Sequence, residues 1–313
     1  VLTKTIKIMK LQKAQRHQVK LRLGLSGASG FGKSYSALLL AFGITNDWSK
    51  IAIIDTENNS ASLYAHLGDF NVLSLNEPYS PERYIEAIKT CEKASMEVII
   101  IDSITHEWNG KGGCLQIHEQ LGGTFQMWAK VTPRHQAFID AILESTAHVI
   151  TTVRKKMDYS MDKDANGRTR VIKHGLKDVT REGFSYELTV DFELINDKHL
   201  ASASKDRTGL FMDKPEFIIN ASTGKKLKTW CNQGVSLDDV KKEINATTTL
   251  EGLRHLYLKY NSLKQQIHPL IMDRKSEIEN TAQIVDNKQI INPKTIENNG
   301  IDSSSTPAIR SGE

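Results

Sequence analysis

The feature that most constrains the fold is a glycine-rich run between a predicted strand and a predicted helix. Residues 19–26 alternate in hydropathy and predict a strand, and the apolar run 34–42 predicts a helix. Between them, residues 27–34 read GASGFGKS and fit the pattern GxxxxGK[ST]. Backbone N–H groups of such a loop can surround phosphate oxygens, and the helix N-terminus adds its positive dipole. The run therefore predicts a phosphate-binding loop, with an ordinary glycine-rich turn as the alternative.

The side chains of this loop have distinct predicted roles toward a nucleotide. Lys33 is placed to reach the β- and γ-phosphates, and the hydroxyl of Ser34 is placed to ligate Mg²⁺. The loop therefore implies ATP and Mg²⁺ as cofactors. The predicted nucleotide-binding residues are Gly27, Ala28, Ser29, Gly30, Phe31, Gly32, Lys33, Ser34 and Tyr35.

Short apolar runs alternate with helical patterns through the first half of the chain. Residues 51–55 and 98–102 are continuous apolar runs that end in aspartate, as is typical of strands buried on both faces. Helices over 81–94 and 132–145 and a strand over 148–153 continue the alternation. This order predicts an α/β fold with a central, mostly parallel sheet between two layers of helices.

The chain beyond residue 153 has a different organisation. Asn166-Gly167 predicts a hairpin turn, and residues 185–193 and 199–204 predict further strands. Leucines at helical spacing predict helices over 237–279. From residue 280 onward, Asn, Ser, Thr and Pro dominate without periodicity, which predicts a disordered tail.

Two carboxylates at predicted strand ends are candidates for chemistry beside the loop. A phosphate-binding loop needs an acid that faces the metal at the end of a neighbouring strand, and Asp102 fits that place. With Ser34, it is the predicted Mg²⁺ ligand. Glu57 follows the other buried strand and is a better candidate than Asp55 to orient an attacking water. Each carboxylate has an alternative role as the cap of a following helix.

The charge is unevenly distributed along the chain. The formal net charge is +4, yet no acidic residue precedes Asp47. Residues 154–181 hold nine Lys or Arg against four Asp. Such a local excess of positive charge suits a polyanionic partner, although a solvated basic face explains it equally well.

The cysteines and the hydropathy bear on the cellular compartment. Three cysteines lie far apart without a CxxC pair, so we expect no disulfide scaffold and a reducing, cytoplasmic location. No apolar run approaches the roughly 18 residues that span a bilayer, so we expect no membrane association. His106, Cys114, His118 and Glu119 carry metal-binding side chains, but their spacing lacks a second pair of ligands, and an ordinary loop is favoured over zinc.

Three segments together resemble the RecA superfamily of recombinase ATPases. They are the loop at 27–34, the run IAIIDTENNSASLYA at 51–65 and the run VIIIDSITHEW at 98–108. In that family the strand after the loop helix ends in Asp-x-Glu, and the resemblance makes Glu57 the catalytic base. The family's metal strand ends in Asp-Ser, which corresponds to Asp102 and its neighbour. More narrowly, the chain resembles phage-encoded Sak-type recombinases, which are often labelled AAA-family ATP-binding proteins.

The resemblance implies roles for residues later in the chain. Residues 148–157 resemble the family strand that carries a γ-phosphate sensor, here Thr152, and then enters a basic DNA-binding loop. The run KDRTG at 205–209 is similar to a motif whose basic residues reach the nucleotide of the neighbouring subunit, so Lys205 and Arg207 are candidate trans-acting residues. The implied DNA-binding residues are Arg154, Lys155 and Lys156.

The resemblance covers about residues 10–232 and implies a function. It implies an ATPase that yields ADP and phosphate and is stimulated by single-stranded DNA in phage-type recombination or annealing. DNA would also pass residues 106–133, where Trp108 and Trp128 either stack on bases or pack in the core. The implied partners are single-stranded DNA and further copies of the chain in a ring or filament, and a single-stranded DNA-binding protein is left open. A non-hydrolysing, ATP-dependent DNA-binding mediator and a phosphotransferase remain alternatives.

The same features set the predicted domain boundaries. A basic N-terminal arm precedes a RecA-like ATPase domain, which is followed by a helical segment and a disordered tail. The predicted ranges are 1–18, 19–232, 233–279 and 280–313 in that order.

Overall fold

The strands of the first half of the chain form the parallel centre of a large sheet. The computed structural model describes residues 16–163 and 169–290. Within them, the strand order is β3-β2-β4-β5-β1-β7-β8-β9, parallel from β3 to β7 and antiparallel beyond. The ninth strand, β6, pairs antiparallel with the far part of β5. The strands are β1 (Arg22–Gly27), β2 (Ile51–Asp55), β3 (Asn71–Ser74), β4 (Val98–Asp102), β5 (His148–Lys163), β6 (Thr169–Asp178), β7 (Val190–Leu194), β8 (Leu200–Asp206) and β9 (Phe217–Ile218).

Helices cover both faces of this sheet. Helices α1 and α7 pack on one face, and α2 and α5 pack on the other. This confirms the predicted α/β fold with a central, mostly parallel sheet between helical layers. The helices of residues 16–234 are α1 (Lys33–Thr45), α2 (Pro81–Lys93), α3 (Thr105–Asn109), α4 (Cys114–Gln120), α5 (Trp128–Glu144), α6 (Phe184–Glu187) and α7 (Ala221–Cys231).

The continuous apolar runs are explained by burial on both faces of β2 and β4. Successive strand residues point to opposite faces, so Ile51 and Ile53 pack in the cluster that contains α1, and Ile54 packs in the cluster that contains α2 and α5. The parallel register pairs Asp55 with Asp102. Both carboxylates therefore lie at the same edge of the sheet, where each strand ends.

Helix α1 packs against α7 with the two backbones almost in contact. A Cβ atom on Gly43 would lie 2.0 Å from the carbonyl oxygen of Ala221, and one on Gly224 would lie 2.2 Å from that of Leu40. No side chain fits at either distance, so glycine is required on both helices. This close packing fixes the helix that begins at the phosphate-binding loop.

The second half of residues 16–234 differs from the predicted pattern in one strand. A strand was expected over 185–193, but α6 occupies the start of that range and β7 begins only at Val190. Gly183, with a φ of 97°, turns the chain so that Phe184 is buried, and this local turn interrupts the strand. The predicted turn at Asn166-Gly167 lies outside the described residues, and β5 and β6 pair antiparallel on either side of it.

The second unit of the described chain, residues 235–290, is helical. It contains α8 (Leu237–Ala246), α9 (Leu250–Lys259) and α10 (Lys264–Ile290), which pack around Val240, Leu253 and Ile267. The expectation of a disordered tail from residue 280 is wrong as far as Ile290, because α10 continues to that residue. None of the helices in the described part of the chain has the length and apolar character needed to cross a membrane.

Candidate functional site

A cavity of about 660 Å³ lies at the edge of the sheet where the parallel strands end. The phosphate-binding loop forms one wall. Glu57 after β2, Asp102 at the end of β4, and Arg154, where β5 leaves its pairing with β1, form part of the rest. The predicted nucleotide-binding residues that line it are Ser29, Gly30, Gly32, Lys33, Ser34 and Tyr35. The structure thus brings together most of the residues that the sequence pattern singles out.

The loop conformation depends on glycines with positive φ. Gly30 and Gly32 have φ values of 81° and 86°, a region that L-amino acids with side chains rarely adopt. Gly32 caps α1, so the chain turns directly from the loop into the helix. The amine of Lys33 donates to the carbonyl oxygens of Gly27 and Ala28 at 3.0 and 2.9 Å. The lysine therefore lies across the loop that it follows.

Charge and burial act in opposite directions on Lys33. Burial lowers its pKa, and nearby Arg154 lowers it further, whereas the carboxylate of Asp102 raises it. A bound phosphate group would add negative charge beside the amine and favour its protonated form.

Asp102 is buried at the end of β4, beside the loop. One of its oxygens, Oδ1, accepts a hydrogen bond from the hydroxyl of Thr152. The other, Oδ2, is buried and has no hydrogen-bond partner among the described residues. Burial raises the pKa of Asp102, and the hydroxyls of Ser34 and Thr152 partly offset that effect.

These donors fit a magnesium ion. Mg²⁺ prefers oxygen ligands such as carboxylates and hydroxyls. The orphaned Oδ2 of Asp102 and the hydroxyl of Ser34, which lines the same cavity, supply such oxygens. A buried carboxylate oxygen without a partner is costly unless a cation or donor compensates it. Asp102 and Ser34 are therefore the residues that would hold the ion.

Thr152 does not line the cavity, in contrast to the expectation of a phosphate sensor. Its side chain is fully buried, and its hydroxyl is committed to Asp102. Burial at this position explains the difference, because β5 lies in the centre of the sheet between β4 and β1. In the structure, Thr152 orients the carboxylate of Asp102.

The two acidic residues after β2 have separate roles. Both oxygens of Asp55 accept backbone N–H groups, from Glu57 at 2.6 Å and from Ala61 at 2.8 Å. Burial raises the pKa of Asp55, and the N–H of Ala61 opposes that change. Asp55 therefore holds the turn that follows β2. Glu57 is the carboxylate that faces the cavity, as the sequence analysis favoured.

Glu57 is paired with an arginine that the sequence analysis assigned to DNA. Nε of Arg154 donates to Oε1 of Glu57 at 2.8 Å, and a second guanidinium nitrogen contacts Oε2. The hydroxyl of Ser103 donates to Oε1 at 3.2 Å. The backbone N–H of Arg154 is held by the hydroxyl of Thr105 on α3. Arg154 therefore belongs to the cavity beside the phosphate-binding loop.

Lys155 also lies at the cavity, whereas Lys156 does not. Nζ of Lys155 is 2.7 Å from Oε1 of Glu193 and 3.8 Å from Oδ1 of Asp178, and its side chain is nearly buried. Acidic residues from β6, from β7 and from the turn after β2 thus engage two of the three basic residues expected to bind DNA. Lys156 is exposed and lines a separate groove.

That groove, with a volume of about 1160 Å³, is lined by aromatic, basic and acidic side chains. The rings of Trp108 and Trp128 stack with centroids 5.7 Å apart, and His118 stacks on Trp128 at 4.1 Å. Both tryptophans are half-buried, so neither is a fully buried core residue, and base stacking on them stays a prediction. Phe125 at the rim is 86% exposed. Three basic residues (Lys156, Lys177 and Arg181) and three acidic residues (Asp158, Asp178 and Glu182) line the same groove, and Lys177 is paired with Glu182.

Lys205 and Arg207 are not at the cavity of their own chain. Both side chains donate to the backbone carbonyl oxygen of Tyr186 in α6. Lys205 also donates to the backbone carbonyl oxygen of Ser185. Lys205 is partly buried and Arg207 is exposed. They lie together on the surface, close to the end of β8.

Some cavity residues were not singled out by the sequence pattern. Tyr64, on the 3-10 helix Ser60–Leu67, has its ring centroid 6.0 Å from that of Tyr35. His199, in the turn between β7 and β8, has Nδ1 2.9 Å from the carbonyl oxygen of Phe31. No motif marks either residue, because both reach the loop from segments distant in sequence.

The four candidate zinc ligands of the sequence analysis do not come together at one point. They are His106, Cys114, His118 and Glu119. His106 contacts the hydroxyl of Thr56, with Nδ1 and Oγ1 2.8 Å apart, and His118 stacks on Trp128. Cys114 is buried against Glu107 instead. These four side chains therefore do not form one ligand set.

Comparison with known proteins gives one family match. A family model described as an AAA domain matches residues 19–208. The matched range contains the phosphate-binding loop, both strand-end carboxylates and the KDRT residues. No curated protein matches the chain.

The buried carboxylate of Asp191 predicts a pH-dependent stability. Burial raises its pKa to about 6, and nearby Asp178 and Glu193 contribute, while Ser204 and Lys155 oppose the shift. The folded state therefore binds this proton more tightly than the unfolded state does. The stabilisation is complete below about pH 4 and is lost as the pH rises through about 6, by up to about 3 kcal/mol.

We therefore expect the free energy of unfolding to decrease less in the Asp191→Asn variant than in the wild type as the pH rises from 5 to 7.5. Urea denaturation at each pH measures this difference. The exposed Asp197, in the turn after the same strand, provides the matched control: Asp197→Asn should follow the wild type. Parallel pH profiles for the wild type and Asp191→Asn would contradict the prediction.

Proposed function

Because the chain belongs to the AAA domain family, which indicates a nucleotide-binding ATPase, we propose that it is a RecA-like ATPase whose ATP hydrolysis is coupled to single-stranded DNA. The process it serves would be recombination or annealing of the phage type. The observation that carries the proposal is the cavity that collects Lys33, Ser34, Asp102 and Glu57 around one loop.

Each of these side chains has a defined task in the proposed reaction. Lys33 binds the β- and γ-phosphates, and Glu57 accepts a hydrogen bond from the attacking water and orients it. The Mg²⁺ held by Asp102 and Ser34 would neutralise charge that develops on the phosphates. Thr152 keeps the carboxylate of Asp102 in place through its hydroxyl.

The ion pair between Arg154 and Glu57 supports the proposal that ATP hydrolysis is regulated. The guanidinium and the hydroxyl of Ser103 occupy about three of the four lone-pair sites of Glu57, and the positive charge lowers its basicity, so Glu57 in this pair is a poorer acceptor for water. The γ-phosphate is a competing anion for Arg154, and its binding would release Glu57. The N–H of Arg154 is held by Thr105 on α3, and α3 also carries Trp108 of the groove. This connection supports a dependence of turnover on DNA.

The aromatic groove supports a single-stranded nucleic acid as the partner. Bases stack on exposed aromatic rings regardless of sequence, and lysine and arginine contact phosphates. Phe125 offers an exposed ring, and Lys156 and Arg181 offer phosphate contacts beside the acidic residues of the same groove. A small-molecule substrate would not need an open surface of this kind.

A non-hydrolysing mediator is the second candidate function. The same ion pair favours it, because a Glu57 that stays bound to Arg154 would let ATP bind without turnover. Turnover assays with and without single-stranded DNA separate the two functions. An ATPase is stimulated by DNA, whereas a mediator binds ATP and DNA and releases no phosphate in either assay.

The first prediction concerns the catalytic base. Glu57→Gln keeps the shape of the side chain but removes the charge that orients water, so turnover should fall by roughly 10²-fold or more while ATP binding persists. Lys33→Ala should lose turnover and also bind ATP more weakly. Phosphate release and nucleotide titration measure the two effects. If Asp55→Asn abolishes turnover and Glu57→Gln retains it, Asp55 is the base.

The second prediction concerns the groove. Phe125→Ala removes an exposed stacking surface, so affinity for an oligothymidine should fall roughly tenfold at constant salt. Fluorescence anisotropy measures it. Leu258→Ala is the control, because Leu258 is an exposed apolar residue on α9, outside the groove. Equal affinities for the two variants would argue against the groove as the DNA site.

The third prediction concerns assembly. We propose that Lys205 and Arg207 complete the cavity of a neighbouring copy, so Arg207→Glu should lose turnover while each chain still binds nucleotide. Mixing this variant with Lys33→Ala should restore part of the activity, because one interface then joins an intact loop to an intact Arg207. A mixture of folded, associating variants that remains inactive would show that these residues act within one chain.

A further inference from the structure

Three ionisable side chains meet in a buried cluster outside the nucleotide cavity. Glu107 lies on α3, Cys114 is the first residue of α4 and His135 lies on α5. All three are buried, with exposed fractions of 0%, 0% and 5%. Sγ of Cys114 lies 3.0 Å from Oε1 of Glu107, and Nδ1 of His135 lies 3.0 Å from both carboxylate oxygens.

The loop before α4 is built to bring these residues together. A Cβ atom on Gly113 would lie 2.7 Å from the carbonyl oxygens of both His106 and Glu107, so the chain can fold back on α3 only with glycine there. Gly112 has a φ of 78° and donates its N–H to the side chain of Gln116. The tight turn places Cys114 directly against Glu107.

The cluster is rich in electron pairs and poor in positive charge. A carboxylate has about four lone-pair sites, and the donors that reach Glu107 within the described residues are the imidazole of His135 and the weak S–H donor of Cys114. The guanidinium of neighbouring Arg134 is engaged by Glu82. A buried acid with so few strong donors is costly, and a bound cation would remove that cost.

The three ligand types together select a particular class of cation. Sulfur, imidazole nitrogen and carboxylate oxygen are the ligands of Zn²⁺, and hard cations such as Mg²⁺ avoid thiolate. The three ligand atoms lie within 4.8 Å of one another, so one ion can contact all of them. We propose that Glu107, Cys114 and His135 form a zinc site that joins α3, α4 and α5.

Binding requires a defined proton change. The Zn–S bond forms as the S–H bond of Cys114 breaks, and the thiol proton leaves to solvent without any change of oxidation state. Burial and the carboxylate of Glu107 raise the pKa of Cys114, so the thiol keeps its proton until a divalent cation reverses the local charge. The imidazole of His135, which donates Nδ1–H to Glu107 when no ion is bound, would shift that proton to Nε2 and bind the ion through Nδ1.

The site has a structural consequence for the groove. His135 packs edge-on against Trp108, with ring centroids 5.6 Å apart, and Trp108 stacks on Trp128. A metal that holds His135 would therefore also hold Trp108 and Trp128, which form the aromatic wall of the groove. The three protein ligands would leave the fourth position of a tetrahedral zinc ion for water.

Cobalt substitution tests the proposal without reference to ATP turnover. We expect the full-length chain to bind about one Co²⁺ with a thiolate-to-cobalt charge-transfer band and visible bands of tetrahedral intensity, and added Zn²⁺ should remove both. The double variant Cys91→Ala/Cys231→Ala retains Cys114 as its sole cysteine, so it should keep the spectrum. Cys114→Ala should lose it.

Each outcome is decisive. A wild-type protein without the charge-transfer band, or a folded Cys114→Ala variant that keeps it, would overturn the proposal. If the double variant is too unstable to purify, the single variants Cys91→Ala and Cys231→Ala serve as controls in its place. Metal analysis after dialysis should then show about one zinc per wild-type chain and none in Cys114→Ala.

Discussion

The parallel register of the central strands determines where the chemistry of this chain can occur. Asp55 pairs with Asp102 across β2 and β4, and Gly27 pairs with Arg154 across β1 and β5. Because the parallel pairing of these strands stops at the same edge, the loop, both carboxylates and the arginine converge there although they are distant from one another in sequence. A shift by one residue would turn these side chains to other faces of the sheet.

Local patterns explain why much of the fold was predictable. The glycine-rich loop and the apolar runs of β2 and β4 are local signals whose structure depends little on the rest of the chain. Helix α10 is the opposite case, since its polar end has the composition of a disordered segment. The helix continues to Ile290 from a first half that packs through Ile267, and composition alone does not carry that information.

The side chains of the site were harder to predict than its backbone. Arg154 and Lys155 belong to a basic stretch, and a basic stretch is typical of a nucleic-acid surface. Their actual partners, Glu57 and Glu193, are distant in sequence and meet them only through the register of the sheet. The cluster of Glu107, Cys114 and His135 is similar, because its members come from three helices and share no recognisable spacing.

The glycine contact between α1 and α7 has a mechanical consequence. Side chains between two helices can change rotamer and so absorb a displacement, but Gly43 and Gly224 leave only backbone against backbone. Any movement of the phosphate-binding loop along α1 must therefore carry α7 with it. That face of the sheet acts as a rigid anchor. On the opposite face, α2 and α5 pack through ordinary side chains, which can absorb a displacement by changing rotamer.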